Sequence, residues 1–147
     1  MISADDDPFI VLIDDDAHSA DLLRRMLTAH GAPDIRLYSS ADEGMTELTR
    51  IVSDVANTWP GLVVVDLKVS SKANYEFLTR NHAALRQKGI PIAVMTAPTD
   101  RAGRQKLQEA GASAVFFRQA ALDAYRHEAA SIVSFWARSQ CLDAVGM

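Results

Sequence analysis

Apolar residues along this chain follow two alternating rhythms. Short runs rich in β-branched and aromatic residues recur at Phe9–Ile13, Ile35–Tyr38, Leu62–Val65, Ile90–Met95 and Ala114–Phe117. Runs of this length read as strands buried on both faces, the form that parallel sheets take. Between them, apolar positions recur at helical spacing. Leu22, Leu23, Met26 and Leu27 predict one face of a helix stopped at Gly31. Met45, Leu48, Val52 and Val55 predict a second, opened by Ser40 and Glu43 in a capping-box pattern and broken off at Pro60 and Gly61. Phe77, Leu78 and Leu85 mark a third, closed near Gly89, and Leu107 and Ala110 a fourth, stopped by Gly111. Leu122, Tyr125, Ala129, Ile132, Val133 and Trp136 form the stripe of a long last helix, and after about Ser139 the pattern gives way to a loose tail.

Five strands alternating with five helices predict an α/β fold, a doubly wound parallel sheet with helices on both faces. The 147 residues suit a single domain, 1–147, with its core over about 9–138 and a short flexible acidic N-terminus carrying Asp5, Asp6 and Asp7. Apolar residues make up 48% and charged residues 23%, enough for a core without covalent staples. Cys141 is the one cysteine, so no internal disulfide is expected, and no Cys/His cluster has zinc-ligand spacing. A reducing, cytoplasmic setting is the expectation. The acidic start is unlike a signal peptide, and no apolar run approaches the roughly 20 residues that span a bilayer. A net charge of -4 without a basic stripe argues against nucleic acid as a partner.

The polar residues at the strand ends change the picture from fold to chemistry. Asp14 and Asp15 follow the first run, Asp66 ends the third, Thr96 the fourth and Arg118 the fifth. In open parallel sheets the carboxyl edge is where ligands bind, at the point where strand order reverses. Three carboxylates gathered there repel by about 4 kcal/mol per pair at 4 Å and an effective dielectric near 20. A hard divalent cation, Mg2+, would relieve that repulsion. Asp66, alone at its strand end, suits nucleophilic attack on phosphorus. The Thr96 hydroxyl and the Arg118 guanidinium would then hold phosphoryl oxygens. Each residue also has a plainer role. Asp14–Asp16 can cap the first helix, Thr96 can fill a strand end, Arg118 can form a surface ion pair and Lys68 can be a solvated loop charge. Their joint placement favours a site. His18, His30, His82 and His127 show no ligand spacing.

The segments FIVLIDDD, LVVVDL, IAVMTA and AGASAVFFR resemble the four signature segments of response-regulator receiver domains, in order and spacing, over roughly residues 9–138. The resemblance implies a flavodoxin-like sheet with strand order 2-1-3-4-5. It implies that Asp15 and Asp66 bind Mg2+ directly, that Asp14 acts mainly through water, and that the Lys68 backbone carbonyl completes the metal shell. Asp66 would be the phosphoacceptor, charged by a sensor histidine kinase or a histidine phosphotransfer protein. The chain would then be no enzyme beyond self-catalysed phosphorylation and dephosphorylation. NYEFLTRNHAALRQKGIPIAVMTAPTD and SIVSFWARS are similar, more narrowly, to phytochrome-associated single-domain regulators.

Several positions depart from that pattern. Arg118 and Gln119 stand where lysine and proline are usual, Lys68 where asparagine is frequent, Ser70 for proline and Asn74 for glycine. Val115 occupies the switch-aromatic position, with Phe116 and Phe117 beside it. The Lys68 ammonium is long enough to enter the acidic pocket and compete with a metal. The leading reading is a stand-alone response regulator of two-component phosphorelay signalling that switches protein contacts. A receiver-like scaffold that is never phosphorylated is the alternative. A haloacid-dehalogenase-type phosphohydrolase is remote: Asp14 and Asp16 have its spacing, but His18 breaks the motif, Asp100 stands alone and no cap domain is present. No G-x-G-x-x-G follows the first strand. An exposed apolar end at Val133 and Trp136 would build a homodimer through the last helices.

Overall fold

The computed structural model describes residues 7–145, and side chains as far as 140. The acidic stretch before Asp7 and the Cys141 thiol lie outside the described residues. The elements alternate as expected: β1 Phe9–Asp14, α1 Ala17–Ala29, β2 Asp34–Tyr38, α2 Ala41–Val52, β3 Leu62–Asp66, α3 Ala73–Gln87, β4 Ile92–Thr96, α4 Arg101–Glu109, β5 Ala114–Phe117 and α5 Leu122–Val145. The strands form one parallel sheet in the order β2-β1-β3-β4-β5.

Strand alternation sorts the core into two layers. Ile10, Leu12, Leu62, Val64, Ala93 and Met95 point to the side covered by α1 and α5, against Leu23, Leu27, Ala129 and Ile132. Phe9, Val11, Ile13, Val63, Val65 and Val94 point to the opposite side, against Leu48, Ile51, Phe77, Leu78 and Leu85. Each fully buried Leu or Ile contributes about 1.5–3 kcal/mol. The helix α4 contributes no fully buried residue; Leu107 and Ala110 only lean on the core.

The helix signals act as expected, with one variation. Ser40 Oγ accepts from the Glu43 amide at 3.0 Å, while Glu43 Oε2 returns not to Ser40 but to the amide and hydroxyl of Ser39, at 3.0 and 2.7 Å. Gly31 and Gly111 follow α1 and α4 with φ of +93° and +123°, a region that side chains disfavour.

Four expectations are corrected. Leu22 is half exposed on α1, because the buried stripe runs through Ala20, Leu23, Met26 and Leu27. Val55 lies beyond the end of α2 and is 88% exposed. The helix α5 does not give way to a tail near Ser139 but continues to Val145. Its apolar end is also not free: Val133 is buried and Trp136 packs on the protein's own core, over Gly61, where a β-carbon would strike the indole. The end of the stripe on which a homodimer was expected thus packs partly on the protein's own core.

Candidate functional site

The carboxyl edge of the sheet gathers two carboxylates, not three. Asp14 and Asp66 are register partners across β1 and β3, so their side chains emerge on the same side, toward α1 and α5. Both side chains are fully buried. Asp15, one residue on, follows the opposite direction. Its carboxylate accepts from the Lys68 amide at 2.9 and 3.0 Å and from the Val69 amide at 2.8 Å. It thus holds the β3–α3 loop instead of joining the pair. Asp16 caps α1, accepting from the amides of His18 and Ser19 at 3.0 and 3.2 Å.

Two cations neutralise the buried pair. Lys68 Nζ donates to Asp14 Oδ1 at 2.6 Å and to the Asp66 carbonyl at 3.0 Å, and stands 3.2 Å from Asp66 Oδ1. Arg118 Nη1 donates to the same Asp66 Oδ1 at 3.2 Å. Asp14 Oδ1 also accepts from the Asp16 amide at 2.9 Å, while its Oδ2 is buried with no partner among the described residues. On its other oxygen, Asp66 Oδ2, the pair meets Ser19 Oγ at 3.5 Å. Burial pushes the Asp66 carboxyl up to about 6, Lys68 and Arg118 pull against that rise, and the Asp14 charge adds to it.

Thr96 ends β4 and lines a cleft of about 210 Å3 together with Lys68, Ser70, Asn74 and Arg118. Four of the expected site residues, Asp14, Asp66, Thr96 and Arg118, therefore converge, and Lys68 joins them through its side chain. Across β4 and β5, Thr96 pairs in register with Phe117, which lies under the Arg104 guanidinium at 4.9 Å. Val115 instead packs into the buried layer.

Three contributors escaped the sequence reading. Ser19 reaches Asp66 from the first turn of α1. Asn74, read as a lost glycine, is buried; its Oδ1 accepts from the Leu67 amide at 2.9 Å and its Nδ2 donates to the Met95 carbonyl at 3.1 Å. Tyr125, read only as helix packing, has a buried hydroxyl with no geometrically formed hydrogen bond among the described residues, and burial reinforced by the Asp66 charge, with Ser19 pulling against it, pushes it up to about 12. A polar residue at the first turn of a helix beside a strand end is the signal that would have found Ser19 and Asn74.

The donor set does not fit the expected Mg2+. Near-octahedral oxygen coordination needs carboxylates with open lone pairs. Asp15 is committed to loop amides, and Lys68 stands between Asp14 and Asp66. Among the described residues no three His, Cys, Asp or Glu side chains are grouped to hold a metal ion. Nor is any helix long and apolar enough to cross a membrane, among the described residues.

No protein-family model and no curated protein matches the chain. Solved structures do. The phosphorylated cyanobacterial phytochrome response regulator RcpA aligns with a TM-score of 0.71 and 19% identity, over 88% of this chain and 93% of its own. The Mn2+-bound form of response regulator Rcp1 aligns at 0.70 and 19%, over 87% and 93%. A CheY-like receiver domain protein from Methanospirillum hungatei JF-1 aligns at 0.67 and 19%, over 90% and 96%. At these identities the likeness is one of fold: the chain has the receiver-domain fold, flavodoxin-like, with strand order 2-1-3-4-5.

Proposed function

We propose that this receiver-fold chain is a response regulator of two-component signalling, in which Asp66 accepts a phosphoryl group and the modified state changes the protein's contacts with a partner. The supporting observation is a single one. At the end of the central strand β3 lies a fully buried carboxylate with two cations on one oxygen, beside a cleft lined by Thr96, Lys68 and Arg118. Above about pH 6 Asp66 is an anion and a nucleophile. With a phosphohistidine of a sensor kinase or phosphotransfer protein as donor, the N–P bond breaks as an Asp66 O–P bond forms. The departing imidazole takes up a proton. Lys68 and Arg118 carry the positive charge that faces the transferred oxygens. The two cations offset one acidic pair, so phosphorylation shifts the site toward net negative charge. That shift is the bias a two-state contact surface reads.

One observation favours a second reading. Lys68 and Arg118 already balance Asp14 and Asp66, so the same site is also stable as an unmodified scaffold. Incubation with acetyl phosphate, with and without Mg2+, followed by intact-mass measurement separates the two. Phosphoryl transfer that is lost in Asp66→Asn supports the regulator. An unmodified wild-type protein under both conditions overturns it and leaves the scaffold.

A further inference from the structure

We propose that Lys68 is the resident cation of the Asp14–Asp66 pair, and that it closes this pair to divalent metal ions. The ammonium has three donors, and three acceptors surround it: Asp14 Oδ1 at 2.6 Å, the Asp66 carbonyl at 3.0 Å and Asp66 Oδ1 at 3.2 Å. An ion bridging the two carboxylates would have to occupy the position Lys68 Nζ already takes. With Arg118 also on Asp66 Oδ1, two carboxylates face two cations. The pair itself is charge-balanced, and the third carboxylate at this edge, Asp15, is engaged by loop amides, so little of the attraction that draws a hard divalent ion between Asp14 and Asp66 is left.

Lys68 is held in place by the residue expected to bind the metal. Asp15 accepts from the Lys68 and Val69 amides through both its oxygens. Asn74 fixes the preceding amide, that of Leu67. Three successive backbone donors are thus tied down, and the side chain they carry is aimed at the pair. The buried Asp14 Oδ2, with no hydrogen-bond partner among the described residues, is the oxygen that an incoming ion would use once the ammonium is gone. This inference concerns occupancy of the pair and does not depend on phosphoryl transfer at Asp66.

The test is Mn2+ binding to the full chain, followed by the electron paramagnetic resonance signal of the free ion and by calorimetry. Lys68→Ala is expected to bind Mn2+ at least about tenfold more tightly than wild type, since a positive charge next to the ion is removed. Adding Asp14→Asn to that variant should abolish the gain, and Lys68→Arg, which restores a cation, should behave as wild type. Equal Mn2+ affinity of wild type and folded Lys68→Ala overturns the proposal. A measurement on the unaltered protein guards against a variant that fails to fold. Thermal unfolding of wild type should show no saturable rise in Tm with Mg2+, and such a rise overturns the proposal as well. Because neither readout involves a phosphoryl donor, failure of acetyl phosphate to modify Asp66 leaves both results interpretable.

Discussion

Asp66 is a carboxyl whose burial raises its pKa, and this has a measurable consequence for stability. In the unfolded chain it titrates near its ordinary value of 3.8, and in the folded protein near 6. The folded state therefore binds more protons than the unfolded one between these values, and stability falls as pH rises through that window. The group's contribution is fully favourable below pH 3.8 and lost above about 6, a difference of about 3 kcal/mol. Other carboxylates act in the opposite sense. Asp21 is lowered by Arg24 and Arg25, and Glu43 by Ser39, so each adds stability as pH rises. The Asp66→Asn variant keeps those groups and removes only the buried titration. Urea unfolding of both proteins across the same range isolates the effect. The stability of Asp66→Asn relative to wild type should improve by about 3 kcal/mol on going from low pH to neutrality. A difference between the two proteins that does not change with pH refutes the assignment of a raised, burial-controlled carboxyl. The same titration governs nucleophilicity, so modification by acetyl phosphate should rise with pH to a plateau just above about 6.

Other outcomes follow from single contacts. Asn74→Ala leaves the Leu67 amide and the Met95 carbonyl buried and unpaired, and should cost about 2–4 kcal/mol in urea unfolding; a loss under about 0.5 kcal/mol would show that water replaces both bonds. Asn74→Asp keeps the acceptor for Leu67 but loses the donor to Met95, and should be destabilised more at neutral pH than in acid. Ser40→Ala removes the α2 cap and should lower stability by about 1 kcal/mol, whereas no change would place the capping energy in the Glu43–Ser39 bonds alone. Gly111→Ala forces a side chain into a φ of +123° and against the His82 ring, with an expected cost of about 2 kcal/mol or more by thermal unfolding; a neutral result would mean that the turn refolds around it.

The layers of the fold were legible because their signal is periodic. Runs of β-branched residues and stripes at helical spacing report which faces are buried, and the register of parallel strands follows from them. The errors fall where periodicity stops. Val55 extends the apolar spacing of α2, but the helix ends at Val52, and the residue is left in a solvated loop. A stripe also does not say what covers it: Trp136 read as an exposed end of α5, and the missing side chain at Gly61 gives the indole a place on the protein's own surface.

At the site, sequence places residues at an edge but not the direction in which they point. One rule was available. Parallel register puts Asp14 beside Asp66, while Asp15 lies past the end of β1, where its direction is set by the Lys68 and Val69 amides it accepts from. What remained hidden was how the departures at Lys68 and Asn74 work together. Taken singly, each looks like the loss of a usual residue. In the structure Asn74 ties the Leu67 amide, Asp15 ties those of Lys68 and Val69, and the loop so fixed delivers an ammonium to the two buried carboxylates. A buried anion pair needs a partner of opposite charge within contact distance, and desolvation makes that need stronger than any preference of an isolated loop residue. Lys68 supplies the partner from within the chain, which is why a loop lysine at the carboxyl edge should be weighed first against the nearest buried carboxylates and only then against solvent.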